Sequence, residues 1–95
     1  MLGKILKYIR ICNDFTVRQV AEMRGVSAAY ISAVELNKRG ISLSNLFDFS
    51  DFYNIEASKI LHLYELEKQG ATRNEIIKEI MEYYIEKEKT SNKTL

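Results

Sequence analysis

The run from Val17 to Val34 constrains this chain more than any other stretch. Small or apolar residues stand at Val20, Ala21, Gly25, Val26, Ile31 and Val34. Their spacing of three and four is helical on both sides of a single glycine. Two short helices that cross steeply need a small side chain where their backbones meet, and Ala21 supplies one. The turn between them needs a positive φ, and Gly25 accepts it without a steric cost. Val26, Ile31 and Val34 then seat the second helix against the rest of the fold. The pattern predicts a helix-turn-helix unit, since a chance helical hairpin has no need of both the alanine and the glycine.

The remaining punctuation predicts helices throughout. The chain has 95 residues, room for one domain, and no proline to build the turns of a small β-sandwich or barrel. Leu2, Ile5, Leu6 and Ile9 line one face of a first helix that ends near Asn13 and Asp14. Thr16, Ser27 and Ser42 are N-cap residues for the next three helices, and Asn37 and Asn54 tolerate the left-handed exit that a helix end requires. The fourth helix is expected to bury Leu43, Leu46, Phe47, Phe49 and Tyr53, and the fifth, about Ala57 to Gln69, Ile60, Leu61 and Leu66 or a near register. After Gly70, Thr72 and Glu75 form a capping box that opens a sixth helix. The organisation expected is a domain over residues 1–70, a C-terminal helix over 71–89 and a flexible polar tail over 90–95.

Composition narrows the chemistry. One cysteine and one histidine cannot supply the three or four ligands of a zinc site. No metal or cofactor is therefore expected, Cys12 reads as a small core residue, and His62 as a helix-surface or interhelical residue. Glu75, Glu79, Glu82 and Glu86 recur as a solvated helix face. No nucleophile, base and orienting group stand together, and no glycine-rich loop cradles phosphate, so no enzyme is expected. The absence of a signal sequence or long apolar run predicts a cytoplasmic protein. The net charge of +1 conceals an asymmetry: residues 1–41 carry seven bases and three acids, residues 42–95 seven bases and ten acids. The first half is the anion-facing half.

The motif residues extend into a family resemblance covering about Leu2 to Leu63. Leu6, Ile9 and Arg10, then Thr16, Val20, Ala21 and Glu22, then Gly25, Val26, Ser27, Tyr30, Ile31, Ser32 and Glu35, and finally Lys38, Ser42, Leu43 and Leu46 resemble the Cro/C1-type, or xenobiotic-response-element, family of bacterial and phage regulators. The resemblance implies an all-α fold, a five-helix lambda-repressor-like domain here followed by a sixth helix. It also implies a structural ion pair between Arg10 and Glu35, and a third helix that reads double-stranded DNA. The DNA-facing residues it designates are Thr16, Arg18, Ser27, Ala28, Ala29, Tyr30, Ser32, Ala33, Asn37, Lys38 and Arg39. Three departures stand out: Val17 replaces a phosphate-holding Gln, Asn37 a Gly and Ile41 a Pro. The outward face Ala28, Ala29, Ser32 and Ala33 has few side chains that can fork onto a base edge. Such a face also suits a protein partner, and an antitoxin or anti-regulator on the same fold is the alternative reading.

In the sixth helix, Ile76, Ile77, Ile80, Met81, Tyr83, Tyr84 and Ile85 occupy more of the circumference than one packing face requires. The excess predicts a second partner, most simply the same helix of another subunit, with Ile76, Ile77, Ile80, Met81 and Tyr84 at a homodimer interface.

Overall fold

A computed structural model describes the backbone of residues 2–93 and the side chains of residues 2–89. Six helices follow one another: α1 (Leu2–Cys12), α2 (Val17–Arg24), α3 (Ala28–Glu35), α4 (Leu43–Tyr53), α5 (Ala57–Lys68) and α6 (Arg73–Lys93). No strand occurs among the described residues.

Each boundary has a local cause. Thr16, Ser27 and Ser42 accept hydrogen bonds through their hydroxyls from the backbone N–H groups of Gln19, Tyr30 and Asn45, which satisfies donors that a helix start otherwise leaves unpaired. The α2 start is a full capping box, because the Gln19 side chain accepts from the Thr16 N–H in return. Gly25 closes α2 at φ 71°, while Asp14, Asn37 and Asn54 take the left-handed conformation at φ 60°, 60° and 54°. At the start of α6, Thr72 and Glu75 bond reciprocally, and these hydrogen bonds hold the Glu75 carboxyl below the usual carboxylate range.

The core is one continuous cluster in which α1 is central, packed against α3, α5 and α6. Ile5, Ile9, Val20, Ile60, Leu63 and Ile80 are wholly inaccessible to solvent. Three expectations are corrected. Leu43 and Phe47 are 67% and 52% exposed: both lie on a flank of α4, while Leu46, Phe49 and Tyr53 hold its inward line. In α5 the buried pair is Ile60 and Leu63, which turns Leu61 outward. Val26, expected to seat α3, sits in the turn and is exposed, leaving that task to Ile31 and Val34.

Helix α6 also differs from its expectation. Ile76 and Ile80 are buried in the same core as α1, and the Tyr84 hydroxyl donates to the Tyr53 carbonyl at 2.6 Å while accepting from Asn13 Nδ2 at 3.1 Å. These three residues, expected at a dimer interface, are thus occupied within their own chain. Met81 and Ile85 remain exposed, with Ile77 half-buried beside them. The α6 backbone stays helical through Lys93, past the expected end at 89, and residues 94–95 of the anticipated tail lie outside the described residues.

Candidate nucleic-acid interface

Helices α2 and α3 pack directly on each other: Ala21, 4% exposed, lets them approach closely, and Gly25 turns the chain between them. Four polar devices fix α3. First, Arg10 reaches Glu35 with two parallel bonds, Nε to Oε2 at 2.8 Å and a terminal nitrogen to Oε1 at 3.0 Å, and donates a third to the Phe15 carbonyl at 2.9 Å. The side chains are 12% and 7% exposed. The hydrogen bonds that Arg10 donates to Glu35 hold its proton more tightly than in free arginine, against the opposing effect of burial.

Second, the Gly3 N–H donates to Asn37 Oδ1 at 3.0 Å, tying the start of α1 to the α3 exit. A Cβ at Gly3 would run into the Val34 carbonyl oxygen and meet Asn37 Oδ1 at 2.7 Å, so only glycine allows this approach. Third, Ser27 caps the start of α3. Fourth, the Tyr30 hydroxyl accepts from Asn45 Nδ2 at 3.2 Å, joining α3 to the first turn of α4.

The residues singled out in the sequence divide among these tasks. Arg18, Ala28, Ala29, Lys38 and Arg39 are exposed. Thr16 and Ser27 are exposed with their hydroxyls engaged as caps. Ser32 and Ala33 are half-covered, so the open face of α3 is narrower than four residues and centres on Ala28 and Ala29. Asn37 directs its amide oxygen back toward α1. The Arg39 guanidinium lies over the Tyr30 ring, 5.0 Å from its centroid, which parks a cation beside α3 at little entropic cost. Lys38 stands next to it.

Sequence reasoning overlooked Gly3, Asn45 and Arg24. The i+4 spacing from Val20 puts Arg24 on the inward side of α2, where an apolar residue would be expected. Its guanidinium covers Phe49 and Phe52 at 5.1 and 5.7 Å and donates to the Asp48 carbonyl, while its Nε is buried without a partner. The spacing alone could have revealed it.

The family comparison bears directly on this arrangement: residues 6–60, more than half of the chain, match the helix-turn-helix family model. The chain belongs to the Cro/C1-type helix-turn-helix family. It is accordingly a DNA-binding transcription regulator in its general class. The matched segment runs from α1 into α5 and contains α2, α3 and α4 whole, so α6 is an addition to the shared unit. No curated protein and no solved structure matched the chain. Among the described residues, no helix is long and apolar enough to cross a membrane, and no group of three or more His, Cys, Asp and Glu could hold a metal ion.

Proposed function

We propose that this helix-turn-helix protein is a sequence-specific regulator that occupies an operator on double-stranded DNA as a homodimer in the cytoplasm, with residues 1–70 as the DNA-binding unit. The observation that carries the reading is the contrast across α3. Its inner side is pinned at both ends, while its outer first turn, Ala28 and Ala29, is exposed, with Arg39 stacked on Tyr30 of the same helix and Arg18 and Lys38 exposed as well. A helix with short side chains can approach the floor of the major groove, where alanine touches thymine methyls. Arg18, Lys38 and Arg39, with the hydroxyls of Thr16, Ser27 and Ser32, are the phosphate-facing set.

Salt-dependent binding to random and selected duplexes tests this directly. Reversing Lys38 and Arg39 to Glu should weaken binding to every duplex and reduce the steepness of its salt dependence. Ala28→Glu and Ala29→Glu should abolish binding and leave thermal stability intact. Unchanged DNA affinity in all of these variants would overturn the reading. The bare alanine face also favours a second reading, a protein-interaction module. Loss of a co-purifying protein partner in the two Glu variants, with DNA affinity preserved, would select it.

Dimer formation rests on α6. With Ile76, Ile80 and Tyr84 committed to the core, the side chains available to a second copy are Ile77, Met81 and Ile85. Two half-sites about 34–36 Å apart on one duplex face would match such a dimer. Replacing both Met81 and Ile85 by Lys should give a folded monomer in sedimentation. Truncation after Gly70 is a poor test, since it removes two fully buried core residues along with the interface.

A further inference from the structure

We infer that two copies of α6 pair antiparallel, about a twofold axis at Met81, with Lys78 of each copy facing Glu82 of the other. The inference rests on the α6 dimer proposed above and specifies its geometry. Ile77, Met81 and Ile85 recur at i, i+4 and i+8, one slowly drifting stripe along the helix. Met81 and Ile85 are 45% and 50% exposed. Lys78 and Glu82 border the stripe on its solvent side, one turn apart and both exposed. Neither makes an ion pair among the described residues, unlike Glu79, which is held by Lys59 at 3.0 Å, and Lys87, which donates to Asn54. A lysine preceding a glutamate by four residues is the weaker order for pairing on one helix.

Charge decides the orientation. The outward positions of the first half of α6 are Arg73, Glu75 and Lys78; those of the second half are Glu82, Glu86, Glu88 and Lys89. A parallel pair would set Glu88 against Glu88 at the end of the apolar stripe and leave Lys78 without an acid opposite. An antiparallel pair sets the more basic half on the more acidic half. Met81 meets Met81, Ile77 meets Ile85, and Asn74 meets Glu88. In an antiparallel pair, matching edges of the two helices become neighbours. Lys78 and the opposite Glu82 then differ in height by about 3 Å at a rise of 1.5 Å per residue, within reach of a lysine side chain, and the twofold axis supplies the pair twice. The apolar stripe is short, so the charge pairs tune a dimer of modest affinity.

Two measurements test the geometry. By sedimentation, Lys78→Glu and Glu82→Lys should each weaken dimerisation about tenfold, because each creates two like-charge contacts, and the double exchange should restore it to near the parent value. In a Cys12→Ala background, chains carrying Ile77→Cys and chains carrying Ile85→Cys should cross-link on mixing and barely at all alone. Identical positions 77 and 77 would lie about 12 Å apart along the axis, too far for a disulfide, which needs Cα atoms within about 7 Å. Efficient cross-linking of each chain with itself, or a dimer indifferent to all three charge variants, would overturn the antiparallel geometry while leaving the α6 dimer in place. A parent chain that sediments as a monomer at high micromolar concentration would remove both.

Discussion

Helices α3 and α6 both rest on α1, yet they are held by a different balance of polar contact and apolar burial. Helix α3 spans Ala28–Glu35 and contributes Ile31 and Val34 as its fully buried apolar residues. Its position is set by directional contacts: the doubled Arg10–Glu35 bond, the Gly3–Asn37 tie, the Ser27 cap and the Tyr30–Asn45 link. Helix α6 spans Arg73–Lys93 and adds buried area to its polar ties: Ile76 and Ile80 are buried, Tyr83 and Tyr84 stack edge to face beside them at 5.8 Å, and Lys59–Glu79, Tyr84–Tyr53 and Lys87–Asn54 bond along its flanks. A helix that must meet a ligand cannot surround itself with its own protein, so its orientation has to come from its ends. A helix that closes a core can rely on non-directional burial, which tolerates gradual change.

The largest stability effect expected is at the polar end of this contrast. Arg10→Ala leaves the Glu35 carboxylate nearly buried and unpaired, at a cost of about 3–5 kcal/mol by denaturant unfolding. Arg10→Lys should recover little of it, because an ammonium cannot reproduce the parallel pair of bonds or the third to Phe15. A loss in Arg10→Ala no greater than that of a surface substitution would show that apolar packing, rather than this pair, orients α3.

Next comes the apolar end. Ile80→Ala should cost about 2–5 kcal/mol and Ile80→Val only about 0.5–1.5 kcal/mol, a graded response that tracks the volume removed. If Ile80→Val proved as damaging as Ile80→Ala, packing in α6 would have to be as directional as the contacts of α3, and the contrast would fail.

How much of this was legible in the sequence follows the same division. The apolar periods and caps predicted six helices, and their boundaries fall close to those seen, because a helix start or stop is written in adjacent residues. The flanks were harder to read. Leu43, Phe47 and Leu61 belong to apolar patterns, but whether a flank position is covered depends on how the next helix crosses it, which is a long-range property. In α6 the broad apolar arc was visible, while its division into a core side and a free side was not. The Gly3 approach to α3 joins residues far apart in the chain and leaves no local signature beyond a glycine inside a helix. The sequence makes Asn37 both a helix stop and a DNA-facing residue; its φ of 60° fits the stop, and its amide oxygen is turned to Gly3.

A smaller effect should appear where α6 uses polar contacts. Tyr84→Phe removes the bonds to the Tyr53 carbonyl and to Asn13, with an expected loss of about 1–2 kcal/mol. The pH dependence adds a second readout. Burial raises the Tyr84 phenol, and burial followed by the nearby Glu35 charge raises Tyr53. The folded state therefore holds these protons more tightly than the unfolded chain, in which phenols titrate near about pH 10. Stability should be full below that range and fall as pH rises through the raised values. Tyr84→Phe should remove its share of the alkaline loss, visible as a shallower decline in melting temperature above about pH 10. An unchanged alkaline decline would mean that Tyr53 alone carries the coupling.

The smallest stability effect is expected on the outer turn of α3. Ala29 is exposed in the first turn, and glutamine is nearly as good a helix former as alanine, so Ala29→Gln should shift stability by less than about 0.5 kcal/mol. The same substitution places a bidentate amide where a base edge would lie, and selection from a random duplex library should enrich adenine at one position by about 1–3 kcal/mol if the contact forms. The pairing of outcomes is what matters. A face that bears load would lose stability when altered, whereas a face kept free for DNA would change its sequence preference and little else. Should Ala29→Gln destabilise the domain by more than 1 kcal/mol, roughly twice the bound for a neutral surface site, the outer turn of α3 would be packed rather than open. The comparison with α6 would then have to be redrawn around a single mode of packing.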